Sequence, residues 1–283
     1  MEFKPTARPS PIAGSWYAGD PESLTRQVDE YISSAKLKDE DLQGQVLGLV
    51  SPHAGHRYSG RTAGYAYKAI QETPRDLVVI LSPFHPYSPA SLLTTSHSAY
   101  RTPLGDVPVA IPELEQLDSL LKKQGHTLKQ IASDEEHSLE IQLPFLQRAW
   151  QSPFRLLPLM VRTHLPHAIR ALAESVYSVI RDQRFLVIAS TDLSHFYPLE
   201  IAQTLDSEML RRIKALSPEK VLSAETEGSA SACGAGAVAA MLWITQLAGA
   251  DRVFILNYST SADGTGDSNS VVGYGAAAIT APE

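Results

Sequence analysis

Short, continuous apolar runs recur along the chain at Val46–Val50, Leu77–Leu81, Phe154–Val161, Phe185–Ala189 and Val253–Leu256. None keeps a strict apolar–polar alternation, so each predicts a strand buried on both faces. Helical spacing fills several intervals, at Gly60–Gln71, Glu136–Trp150, Pro166–Arg181 and Gly234–Ala248. Together they predict an α/β fold whose mostly parallel central sheet is flanked by helices. Ser91–Ala110 breaks the rhythm, and its Thr102-Pro103-Leu104-Gly105-Asp106 turn predicts an inserted hairpin. Upstream, Pro5, Pro9, Pro11 and Pro21 mark residues 1–20 as an extended arm. Asp20-Pro21-Glu22 predicts a helix start, with Asp20 as cap and Pro21 in the first helical position. Leu24, Val28, Tyr31 and Ile32 follow at helical spacing, to about Ala35, and the polar stretch 36–44 predicts a loop. At the far end Asn257–Ser261 continues an apolar strand, a two-glycine loop follows, and Ser270–Ile279 predicts a last strand. No repeat or linker divides residues 1–283, which are expected to form one domain.

Composition narrows the function classes. Of 283 residues, 43% are apolar, enough for a substantial core and too many for a disordered chain. Twenty-four basic residues against 31 acidic ones leave a net charge of −7, which argues against a broad basic grip on nucleic acid. One cysteine, Cys233, excludes an intramolecular disulfide framework and a multi-cysteine zinc module. The first residues carry no apolar run of secretory type, and no later run approaches the roughly 18 residues of a membrane span. A cytoplasmic protein with neither nucleic-acid nor membrane partners is the expectation.

The histidines fall in informative places. Val46–Val50 runs into Ser51-Pro52-His53, Leu77–Leu81 into Ser82-Pro83-Phe84-His85, and Phe185–Ala189 into Ser190-Thr191-Asp192-Leu193-Ser194-His195. Three buried strands thus each deliver a histidine just past the carboxyl end, where open parallel sheets bind ligands. Any one of these histidines is more often structural; three at equivalent ends argue for a shared site. Cys233 precedes an apolar helix, where the positive dipole end lowers a thiol pKa toward thiolate, although a small buried cysteine is the plainer reading. His53, His85 and Cys233 make a three-ligand set with an open position, suited to zinc, ferrous iron or copper rather than magnesium or calcium. Their spacing matches no short metal motif.

Other polar clusters have plainer readings. Asp134–Glu140 predicts the opening of a helix, with His137 and Glu140 three apart on one face, either solvated or supporting a site. His56, Arg57 and Tyr58 lie between Gly55 and Gly60 in what reads as a loop before a helix. His97, His126, His164 and His167 are assigned to the surface.

Five segments in order, Gly14-Ser15-Trp16-Tyr17, SPHAGHRYSG (Ser51–Gly60), EHSLEIQLPFL (Glu136–Leu146), STDLSH (Ser190–His195) and Cys233-Gly234, resemble the Memo family, whose prokaryotic members are called AmmeMemoRadiSam system protein B. The resemblance implies the α/β fold of LigB-type class III extradiol dioxygenases. It implies metal ligands at His53, His85 and Cys233, with iron or copper favoured and zinc a further candidate. Asp192 and His195 would lie nearby in the cleft. In the leading reading His195 acts as general acid/base and Asp192 orients it or shapes the pocket, with His56, Tyr58, Glu136, His137 and Glu140 as candidates to line or support it. His56 stands where the family usually has tyrosine, and Pro86 where a second histidine often follows the first. The prokaryotic name implies a functional association with a radical-SAM protein and an AMMECR1-like protein. The leading expectation is a metal-dependent oxidoreductase or redox protein taking a small molecule. The alternatives are a module binding a peptide or partner in the same cleft, as animal members are described to do, and a zinc hydrolase.

Overall fold

A computed structural model describes residues 1–38 and 42–282; residues 39–41 of the predicted 36–44 loop lie outside the described residues. In chain order the elements are β1 (Lys4–Arg8), α1 (Pro21–Ser34), β2 (Gln45–Ser51), α2 (His56–Lys68), β3 (Leu77–Ser82), β4 (Leu92–Thr95), β5 (His97–Thr102) and β6 (Gly105–Pro108). Then come α3 (Ile111–Lys123), β7 (Leu128–Ile131), α4 (Leu143–Ala149), β8 (Arg155–Val161), α5 (Pro166–Ile180), β9 (Phe185–Ser190) and β10 (His195–Tyr197). The chain finishes with α6 (Leu199–Lys214), α7 (Pro218–Ser223), α8 (Ala235–Leu247), β11 (Arg252–Thr260), α9 (Ala262–Thr265) and β12 (Val271–Ala281).

The five apolar runs all become strands. A nine-stranded sheet is ordered β10-β12-β2-β9-β3-β8-β4-β7, with β11 also pairing with β12. Its centre, β2-β9-β3-β8, is parallel. Antiparallel pairings at β12 and β4 make the sheet as a whole mixed. Val78–Leu81, Leu186–Ala189 and Leu156–Leu157 are almost wholly buried, which is why these strands show no alternation. Helix α8 is buried along most of its length, against β9, β2 and β3, with α5 packed on it. Helix α2 crosses β11 and β12 and is backed by α1. Those two helices meet at Gly64, where a Cβ would stand 2.3 Å from the Tyr31 carbonyl oxygen, so glycine permits the approach.

The predicted cap of α1 is present, Asp20 accepting from the Ser23 amide at 2.8 Å. The inserted hairpin is β5-β6, and β1 of the arm pairs parallel with β5, giving a three-stranded sheet. The arm is pinned by Arg8, whose buried guanidinium reaches Glu140 at 2.6 Å, Asp134, and the Glu136 carbonyl at 2.8 Å.

Two predicted helix starts are corrected. Helix α2 begins at His56, so His56, Arg57 and Tyr58 are helical rather than a loop. Residues 136–139 are not helical: a 3₁₀ turn covers Glu140–Gln142, and α4 starts at Leu143 with a proline in its first turn. Glu136 turns its carboxylate onto the amides of His137 and Ser138, a local bond that competes with a helical turn. His137 and Glu140 therefore do not share a helix face. His97 is corrected as well: it is buried, with Nε2 donating to the Ala132 carbonyl at 2.7 Å.

Candidate metal centre

The aligned carboxyl ends of the parallel strands build the site. Ser51 of β2 lies beside Ser190 of β9, so the loops carrying His53 and Asp192 leave the sheet together. β3 runs alongside β9 and delivers His85. The imidazole nitrogens of His53, His85 and His137 converge, with one donor atom from each lying within 4.8 Å of the others. The His85 and His137 rings stack at 4.9 Å, and His53 meets both edge-on at 5.4 Å. Three imidazoles so disposed suit zinc, iron or copper.

Glu136 organises two of the three. Its buried carboxylate accepts the backbone amides of His85 (2.6 Å), His137 (2.9 Å) and Ser138 (2.8 Å). It also takes a hydrogen bond from His85 Nδ1 at 3.1 Å. Burial pushes the Glu136 carboxyl up, but the bond from His85 and the charges of His85 and His137 outweigh it and hold the group well below the usual carboxylate range. The same bond raises the His85 pKa against its burial and leaves Nε2 of the neutral ring free to ligate. Burial lowers His137 to about 4, against the pull of Glu136. Burial likewise holds His53 well below 6.5, with His137 and His85 adding to the effect. His53 and His137 are therefore neutral near pH 7, the form a metal needs.

Cys233 lies beside this group, its Sγ 3.1 Å from His53 Nε2 and 3.3 Å from the Asp192 amide. Burial, reinforced by Asp192, pushes its thiol well above the ordinary range, in keeping with the small buried cysteine that was the plainer of the two readings. Asp192 Oδ1 accepts the amides of His53 (2.7 Å) and Ala54 (3.3 Å), so it braces the His53 loop. Burial lifts its pKa to about 7 despite those two bonds. His195 Nδ1 donates to the Leu193 carbonyl at 2.9 Å, since a carbonyl only accepts, and Nε2 keeps the lone pair. Burial lowers its pKa as well. The next residue, Phe196, has φ +64°, a strained value for a bulky residue, and an exposed ring.

These groups open onto a cleft of about 930 Å³ lined by His53, His85, His137, Asp192 and His195, with Trp16, Tyr58, Phe196 and Tyr274 as aromatic walls. Trp16, supplied by the arm, stacks on His137 at 4.0 Å. His56 is away from the cleft, buried beside Tyr17 (5.3 Å) and Phe145 (4.8 Å). Glu140 is fully buried behind the wall, taking a 2.7 Å hydrogen bond from the Tyr17 hydroxyl. The sequence brought His53, His85, Asp192 and His195 to the right end of the sheet but gave His137 only a supporting place. His137 arrives on the loop from β7, which runs against the parallel strands, so no strand-end signal marks it.

The family profile described as Memo-like protein matches residues 8–278, nearly the whole chain. The chain belongs to the Memo family. A MEMO1 family protein of Methanopyrus kandleri is 35% identical to this Memo-family chain over 276 residues, covering 94% of it and 96% of the relative. One from Nitrosopumilus maritimus is 32% identical over 273 residues, with the same coverage. Among solved structures, an uncharacterized Escherichia coli protein, JW3007, is similar with a TM-score of 0.51 and 12% identity, covering 82% of this chain and 99% of that one. At that identity the likeness concerns the fold alone. Among the described residues no helix is long and apolar enough to cross a membrane.

Proposed function

We propose that this Memo-family protein holds one transition-metal ion, iron or copper, between His53, His85 and His137, and acts as a metal-dependent oxidoreductase on a small molecule in the cleft. The convergence of the three imidazoles at the floor of an aromatic-walled cleft carries the reading. Cys233 is the donor that the family resemblance adds, and its 3.1 Å contact with His53 Nε2 keeps it within reach of the same ion. When bound, such an ion supplies one-electron chemistry and an open coordination position. Trp16, Tyr58 and Phe196 hold the flat part of the ligand, and His195 Nε2 takes a proton from it. Asp192 keeps the His53 loop in place. Glu136 is committed to backbone amides and to His85, which leaves it poorly suited to the base role a zinc hydrolase would ask of it.

The test is anaerobic reconstitution with Fe(II), Cu(I) or Zn(II), followed by oxygen uptake with a panel of small phenols and thiols. The iron or copper form should turn over and the zinc form should not. His195→Ala should lose turnover while retaining metal. Turnover confined to the zinc form, acting on esters or amides, would overturn the reading. A second reading, a module that binds a peptide in the cleft, rests on the exposed rings of Trp16, Tyr58 and Phe196 at the wall. It predicts binding that survives chelation.

A further inference from the structure

Behind His53 lies a buried polar chain that the proposed function leaves unused. The Tyr67 hydroxyl donates to Gln142 Oε1 at 2.7 Å, and Gln142 Nε2 donates to the Pro52 carbonyl at 3.0 Å and to Ser190 Oγ at 2.7 Å. Pro52 O only accepts, which fixes the amide orientation of Gln142. Ser190 Oγ then donates its one hydrogen to the Ser138 carbonyl at 2.6 Å. Were that hydrogen turned elsewhere, an oxygen lone pair would face a carbonyl oxygen at the same distance. The remaining contact of Ser190 Oγ is His53 Nδ1 at 3.1 Å, and with the hydroxyl hydrogen committed the imidazole must be the donor. Ser190, Gln142 and Ser138 are all fully buried, so water does not compete for these bonds.

We propose that Ser190, its hydroxyl oriented by Gln142 and the Ser138 carbonyl, is a positioning residue that locks neutral His53 in the Nδ1–H tautomer and aims its Nε2 lone pair into the cluster. Neutral imidazole in water prefers its proton on Nε2, so the chain of bonds reverses the intrinsic preference at this one ring. It does for His53 what Glu136 does for His85, with a neutral hydroxyl in place of a carboxylate. Cys233 Sγ stands 3.1 Å from that Nε2, on the side away from Ser190 in the chain of bonds.

The inference rests on the metal-centre reading, but its first test needs no metal. Long-range ¹H–¹⁵N correlation spectra of the metal-free wild-type protein at pH 7.5 should show His53 as Nδ1–H; an Nε2–H pattern would overturn the proposal. Ser190→Ala should shift His53 toward Nε2–H and weaken Co(II) binding by about 10–100-fold in an anaerobic optical titration. A circular dichroism melt checks that the variant is folded. Unchanged tautomer and unchanged affinity in folded Ser190→Ala would also overturn it. Wild-type protein that shows Nδ1–H yet binds no Co(II) upholds the proton placement and refutes the metal reading instead.

Discussion

His56 should make the protein acid-labile in a way that one substitution removes. The ring is buried among Tyr17, Tyr31 and Phe145; Nε2 donates to the Ile141 carbonyl at 3.3 Å, and Nδ1 has no partner among the described residues. Burial lowers its pKa from 6.5 to about 4, with the Ile141 bond opposing weakly. The unfolded chain therefore takes up a proton as pH falls through 6.5, while the folded chain resists until about 4. Stability is full above 6.5, falls across that window and levels near its lower end. At about 1.4 kcal/mol per pH unit the loss assignable to His56 is about 3 kcal/mol. His56→Phe keeps an aromatic ring in an aromatic cluster and exchanges one long hydrogen bond for the removal of an unpartnered nitrogen, so at pH 7.5 it should lie within about 1 kcal/mol of wild type. By pH 4 it should be the more stable by about 3 kcal/mol. Urea denaturation at half-unit steps from pH 7.5 to 4 measures both profiles. His53, His137 and His195 also lose stability in acid, but they are present in both proteins and cancel in the difference. Parallel profiles would refute the reasoning.

Other changes act on the arm, the helix contact and Glu136. Arg8→Ala leaves the buried carboxylates of Asp134 and Glu140 without their cation and should cost about 3–5 kcal/mol in urea denaturation. Gly64→Ala drives a methyl into the Tyr31 backbone and should cost about 1–3 kcal/mol, whereas Gly125→Ala, where a Cβ meets nothing within 4 Å but φ is +80°, carries only the backbone penalty. Glu136→Gln weakens the hydrogen bond and removes the charge that together raise His85, so the His85 pKa should fall in an NMR titration, and metal affinity should drop about 10–100-fold in chelator competition.

The parallel core was legible because its strands are buried on both faces and read as unbroken apolar runs. Its margins were not: β4 and β7 are four residues each, and β7 mixes Leu128 and Ile131 with Lys129 and Gln130. The stretch 136–139 was read as helix because its apolar spacing continues into α4. Pro144, in the first turn of α4, was the available signal that the helix starts later. Strand-end logic found His53, His85 and His195 and could not find His137, which comes from a strand running the other way. For Cys233 the sequence left two readings open, a thiol activated at a helix start and a small buried cysteine, because burial, which raises the thiol, is not written in the local sequence. Phe196 and Trp16 were invisible as cleft walls, since one depends on a left-handed backbone and the other on the arm folding back over His137.

The central claim is tested most directly by metal stoichiometry. Tag-free protein purified without oxygen is assayed by elemental analysis, beside His53→Ala, His85→Ala, His137→Ala and Cys233→Ala, each checked for folding. Near one iron or copper per chain is predicted in the wild type, lost in all three histidine variants, with the Cys233 variant reporting whether the thiol adds a ligand. Folded wild-type protein that carries no metal and takes none up on anaerobic reconstitution would contradict the account.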